Sequence, residues 1–201
     1  MNKSVFNPED QQRNLSSKII AGLERISEVF KVLLWEKAKL VGLSPIQIQL
    51  LIFIAYHKQE LRTVSHLAKE FNITKPTISD AIKVLTKKDL IKKDHSSSDN
   101  RSYSISLSTS GEELVSEIQD FTSPLETQIN NLKETDLEGL FETLSALIFK
   151  LNQNGILTVQ RTCYGCSFFK KNETSNFCKL LEKELTTNDI RLDCPEFVEK
   201  V

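Results

Sequence analysis

A chain of 201 residues with 39% apolar and 26% charged residues has the make-up of an ordinary globular protein, large enough for one domain with an appendage or two small ones. Its longest wholly apolar run, Leu50 to Tyr56, is seven residues and cannot span a bilayer, and Met1 to Asp10 carries no apolar stretch of a secretory signal, so a cytoplasmic location without membrane contact is expected. The net charge of −1 is uneven: residues 58–101 hold ten Lys and Arg against six Asp and Glu (+4), the remainder sixteen against twenty-one (−5).

Residues 14–40 predict one long amphipathic helix. Leu15, Ile19, Leu23, Ile26, Phe30, Leu33 and Leu34 recur at three and four residues, and Gly42 ends it. That stripe is longer than one small domain can cover. Ser44 as N-cap and Pro45 at the first helical position open a second helix. Its Ile46, Ile48, Leu50, Leu51, Phe53 and Ile54 are apolar on nearly all sides, as in a buried core helix. His57 and His66 are expected to be partly exposed structural residues.

Val64, Leu67, Ala68, Phe71 and Ile73 then give a short helix ending at Asn72, a residue tolerant of left-handed geometry. Thr74 caps the next helix, with Pro76 in its first turn. The stripe Ile78, Ala81, Ile82 and Leu85 leaves Thr77, Ser79, Lys83 and Lys87 largely off it. Two short helices, the second with small polar and basic residues near its start, predict a helix-turn-helix over about 63–88. Leu90 and Ile91 lead through Lys92, Lys93 and Asp94 into a polar tip. On the return, Tyr103, Ile105 and Leu107 alternate with serines, which predicts a β-hairpin wing over about 90–107. A solvated charged face would also explain a basic excess, but here the excess coincides with the helix-turn-helix.

The run Asp99-Asn100-Arg101, a strand, then Leu107-Ser108-Thr109-Ser110-Gly111 resembles the wing signature of MarR-type transcriptional regulators, Asp-x-Arg followed by Leu-Thr-x-x-Gly. Ser44 to Gln49 is similar to that family's second helix start, and Lys75 to Ser79 to its recognition helix. The resemblance covers about residues 15–155. It departs at Asp89, where the family has Gly, and at Ser108, where it has Thr; a strained turn at Asp89 is expected, with the wing retained.

The resemblance implies a homodimer bound to double-stranded DNA at a pseudo-palindromic operator, with repression as the implied sign. Thr74, Lys75, Thr77 and Ser79 near the helix start would reach bases or phosphates, and Lys83 and Lys87 phosphates. Arg101, oriented by Asp99, would enter the minor groove. A small-molecule effector is also implied, although no residue identifies one.

After the wing, Thr109 or Ser110 caps a helix carrying Leu114, Val115, Ile118, Phe121, Leu125, Ile129 and Leu132, in which Pro124 kinks the helix or starts a new first turn. A last helix, about Thr135 to Asn152, carries Leu137, Leu140, Phe141, Leu144, Leu147, Ile148 and Leu151. Three long apolar stripes are most economically used in dimerisation. The division expected is 1–155 for the DNA-binding and dimerisation part and 156–201 for a cysteine module.

All four cysteines, Cys163, Cys166, Cys178 and Cys194, fall in that last segment. Intracellular disulfides are rare, so such a cluster points to a metal or to redox chemistry. A zinc ion bound by the four cysteines is the preferred occupant, and an iron–sulfur cluster, with Cys194-Pro195 echoing ferredoxin-type ends, is the alternative. A dithiol switch through Cys163 and Cys166 is the third reading. A thiol–disulfide enzyme needs the Cys-x-x-Cys in a βαβ setting, and no such strand pattern precedes Cys163, so no enzyme is expected. The fold class expected is mainly α: a winged helix-turn-helix with a small β-hairpin, a helical dimerisation region and a Cys-rich C-terminal module.

Overall fold

The computed structural model describes residues 4–94, 103–172 and 175–200. Its architecture is mainly helical with a hairpin, as the sequence predicts. A short helix α1 (Pro8–Arg13), absent from the periodicity reading because it buries nothing, precedes α2 (Leu15–Val41). Asn14 caps α2 by accepting from the Ser16 N–H at 2.9 Å, and Gly42 closes it with φ +64°. α3 (Pro45–Tyr56) begins at Ser44, whose N–H donates to Gln47 Oε1 at 2.9 Å. Its Ile48, Leu50, Leu51 and Ile54 are fully buried at the centre of the core, as an all-round apolar helix requires.

α4 (Val64–Glu70) and α5 (Lys75–Lys87) pack on α3 as the helix-turn-helix, joined through Asn72 at φ +52°. Leu67, Ile78, Ile82 and Leu85 fill the space beneath them. The wing follows at once: β1 (Ile91–Asp94) pairs antiparallel with β2 (Ser104–Leu107), Ile91 opposite Leu107 and Asp94 opposite Ser104. The Ile105 N–H donates to the Arg62 carbonyl at 3.0 Å, which fixes the hairpin to the turn before α4.

Asp89 has φ +55°, the left-handed turn expected from its departure from glycine, and the hairpin forms regardless. A β-carbon there is strained while glycine is not. Asp89→Gly is therefore expected to raise stability by up to about 1 kcal/mol, read as a higher urea midpoint with unchanged slope. Ser108 replaces Thr109 or Ser110 as the cap of α6 (Thr109–Ile118), a correction to the sequence reading. Its hydroxyl accepts from the Gly111 N–H at 3.0 Å and donates to the Asp89 carbonyl at 2.5 Å, tying the helix start to the strained turn. Gly111 is required there because a β-carbon would overlap the Leu90 carbonyl.

Pro124 starts a new first turn. α6 gives way to a 3-10 turn (Gln119–Thr122), and α7 (Ser123–Asn130) carries Pro124 at its beginning. α8 (Glu134–Gln153) buries only Ser145 within the chain, so its Leu140 and Leu147 stay exposed. Along α2, Ile19, Leu23, Ile26 and Phe30 are 39–54% exposed and share one face. Among the described residues no single helix is long and apolar enough to cross a membrane.

The last segment holds an unanticipated three-stranded antiparallel sheet, β3 (Phe169–Lys171), β4 (Asn176–Cys178) and β5 (Lys183–Leu185), in the order β3-β4-β5. Three-residue strands are too short to show a period of two in the sequence. Tyr164 links the segment to α8, its ring centroid 6.2 Å from that of Phe149.

Candidate functional site

α5 presents the residues singled out for nucleic-acid contact. Its N-terminus is built by Thr74, whose hydroxyl accepts from the Thr77 N–H at 3.3 Å and shares a 2.8 Å hydrogen bond with the Thr77 hydroxyl. Thr74, Lys75 and Thr77 are exposed and Ser79 is half-buried. With Ile78, Ala81, Ile82 and Leu85 turned into the core, the helical period of 3.6 sets Lys83 and Lys87 on the opposite, solvent face.

Asp80, which the sequence reading passed over, lies on that same face and pairs with Lys83 at 2.9 Å. Both side chains are exposed, so the pair holds Lys83 only weakly and yields to a phosphate. Beside α5, Lys92 and Lys93 extend the basic surface along β1, and the Lys93 ammonium lies 4.7 Å from the Tyr103 ring centroid. Asp99 and Arg101 lie outside the described residues.

The four cysteines come together from separate stretches. Cys163 and Cys166 flank a 3-10 turn, Cys178 ends β4, and Cys194 follows a parallel bridge between Arg161 and Asp193. They are free thiols, and all four line one cavity. Burial pushes the Cys163 thiol up, against the Arg191 N–H that donates to its sulfur at 3.3 Å. Gly165 lies between Cys163 and Cys166, and a β-carbon there would meet the amide end of the Gln160 side chain, a flexible group that can move aside. Among the described residues, no three His, Cys, Asp or Glu side chains are placed to hold one metal ion.

Between these two regions runs a polar clamp that the sequence reading missed. Arg161 donates to Glu70 through Nη1 (2.8 Å) and Nη2 (3.1 Å), and to Asp193 through Nε (2.5 Å) and Nη2 (3.0 Å). His57, expected to be a partly exposed structural residue, takes part: its Nε2 lies 2.8 Å from Asp193 Oδ2, and its ring stacks on Phe53 at 3.7 Å. The hydrogen bond from Arg161, helped by His57 and opposed by burial, holds the Asp193 carboxyl down to about 2. Lys58 adds a bond to Glu196 at 3.1 Å, and the Thr158 hydroxyl donates to the Lys69 carbonyl. His66 is half-buried, 3.4 Å from Glu70, and burial lowers its pKa. The only signal in the sequence for the clamp is that opposite charges, Arg161 and Asp193, closely precede Cys163 and Cys194.

Residues 41–102 match the model of the MarR family. Similar solved structures include the S. aureus MepR–DNA complex, 27% identical, with a TM-score of 0.56 over 64% of this chain and 94% of that one. S. aureus MepR in its DNA-binding conformation is 26% identical with a TM-score of 0.59, covering 66% of this chain and 98% of that one. A MarR transcriptional regulator from Methanosarcina mazei Go1 shares the fold at 18% identity and a TM-score of 0.56, over 68% of this chain and 98% of that one. No curated protein sequence matches significantly.

Proposed function

We propose, from the MarR-type winged helix that this chain carries, that it is a DNA-binding transcriptional regulator working as a homodimer on a pseudo-palindromic operator. The observation that carries the reading is the exposed basic face of α5, set on a winged helix similar to MepR, a protein whose structure is a DNA complex. α5 enters the major groove with Lys75, Thr77 and Ser79 at the base edges or nearest phosphates. Thr74 holds the helix start, and Lys83 and Lys87 take the flanking phosphates. Arg101 reaches the neighbouring minor groove, with Asp99 orienting it. Repression follows if the operator overlaps the promoter.

The partner that makes the dimer is a second copy. α2 and α8 each leave an apolar face without cover in the single chain, and two such faces from two copies cover one another. The cysteine module modulates the regulator through Arg161, which grips Glu70 at the end of α4, one turn before the recognition helix.

Gel shifts test the interface. Lys75→Ala and Arg101→Ala are each expected to weaken operator binding about 10-fold, roughly the effect of losing one good polar or phosphate contact. Lys87→Ala should weaken specific and non-specific duplexes alike and reduce the salt dependence by about one counterion. Unchanged affinity in both Lys75→Ala and Arg101→Ala rules the interface out.

A further inference from the structure

The helix α5 holds one acid, Asp80, against three lysines, and the acid stands in the middle of the exposed face. With Ile78, Ala81, Ile82 and Leu85 in the core, the helical period turns Asp80 nearly opposite to them, and its side chain is 73% exposed. Nothing in the fold asks for a carboxylate there. Thr74 already caps the helix, and Asp80 lies beyond the first turn, where the helix dipole favours an acid. Aspartate is also a poor helix former in mid-helix. Its partner is Lys83, whose ammonium donates to Oδ1 at 2.9 Å, and so exposed a pair adds little to the helix.

The exposed face of α5 divides into two strips. Lys83 and Lys87 make one, and Thr77, Asp80 and Val84, at spacings of three and four residues, make the other. Phosphates need the first kind. The second carries a hydroxyl, a carboxylate and a valine left 41% exposed, and has no cation to offer a phosphate. Its chemistry matches base edges, which present hydrogen-bonding groups and the thymine methyl.

We propose that Asp80 is a specificity-determining residue that reads one cytosine in each half-site of the operator. The proposal rests on the DNA-binding reading above and adds to it what α5 recognises. A carboxylate only accepts hydrogen bonds. In the major groove the donors are the cytosine N4 and adenine N6 amino groups. Adenine sets its N7 acceptor beside the donor, so cytosine suits a carboxylate better. Guanine and thymine turn lone pairs toward it, and the phosphates repel it, so Asp80 also opposes sites that lack the cytosine. In the free protein Lys83 neutralises the carboxylate. On DNA the ammonium moves to a phosphate and leaves Asp80 to the base.

The test selects binding sites for the full-length chain from a library of random duplexes, with Asp80→Ala, Asp80→Asn and Lys83→Ala in parallel. The wild type is expected to fix a cytosine at one position of each half-site. Replacing that C·G pair by T·A in the selected duplex should weaken its binding about 10-fold. Asp80→Ala should lose the preference at that position alone, the two duplexes binding within about 2-fold of each other, and should hold an unrelated duplex more tightly because a repelled charge is gone. Asp80→Asn, whose amide both donates and accepts, should turn the preference to adenine. Lys83→Ala should keep the cytosine, which separates a base reader from a residue that only positions Lys83. Circular dichroism of the helices checks that each variant is folded. The same selected site in Asp80→Ala and wild type, or the cytosine lost equally in Lys83→Ala, overturns the proposal and leaves the DNA-binding reading standing. A wild type that selects no sequence removes both.

Discussion

Ile26→Glu combined with Phe30→Glu is expected to turn the dimer into a monomer and to lower operator affinity by about 100-fold or more. The two positions are four residues apart on one face of α2, 44% and 42% exposed in the single chain. In a monomer the new carboxylates stay in water, so the winged helix should keep its structure and its thermal transition. In a dimer of the proposed kind the same carboxylates would be buried against a second apolar face, each at a cost of several kcal/mol. The DNA effect follows from geometry. Two winged helices held together bind the second half-site intramolecularly, an advantage of about 10²–10⁴ that a monomer lacks. Light scattering after size exclusion reads the first expectation and gel shift the second. A variant that remains dimeric with wild-type affinity places the interface elsewhere.

The winged helix is legible in the sequence because each of its parts has a local cause. Ser44-Pro45, Thr74-Pro76 and Gly42 mark helix ends by backbone chemistry, and those ends stand where expected. Asp89 shows the same logic at a departure from pattern, since the missing glycine anticipates its positive φ. The cap of α6 is misplaced by one or two residues because Ser108, Thr109 and Ser110 all carry a hydroxyl. Only the neighbouring Asp89 carbonyl, brought close by the hairpin, selects Ser108.

In the cysteine segment the cluster of thiols is readable, but the elements are not. β3, β4 and β5 are ordered by pairing between strands, and the convergence of Cys163 with Cys194 depends on a bridge across 31 residues. The Asp80–Lys83 pair and the Arg161 clamp are of the same kind, since charged side chains carry no periodicity that names their partner.

Arg161→Ala is expected to cost about 2–3 kcal/mol and to free the cysteine segment from the winged helix. The Arg161 side chain is 10% exposed and Glu70 is 19% exposed, so removing the guanidinium leaves a carboxylate largely out of water with its main partner gone. Breaking a fully buried pair costs roughly 3–5 kcal/mol. Asp193 is 46% exposed and rehydrates readily, which brings the figure down. Part of the loss is packing, because the guanidinium also lies 5.7 Å from the centre of the Phe53 ring. Arg161→Lys keeps the charge but cannot fork between two carboxylates, and should recover less than half of the loss. Urea denaturation reads the energy, and limited proteolysis after α8 reads the release. The same variant isolates the regulatory step. If the segment acts on α4 through this clamp, the difference in operator affinity between metal-loaded and stripped protein should shrink at least several-fold in Arg161→Ala. A difference as large as in the wild type would mean that the segment acts through α8 and the dimer, the other element it packs against.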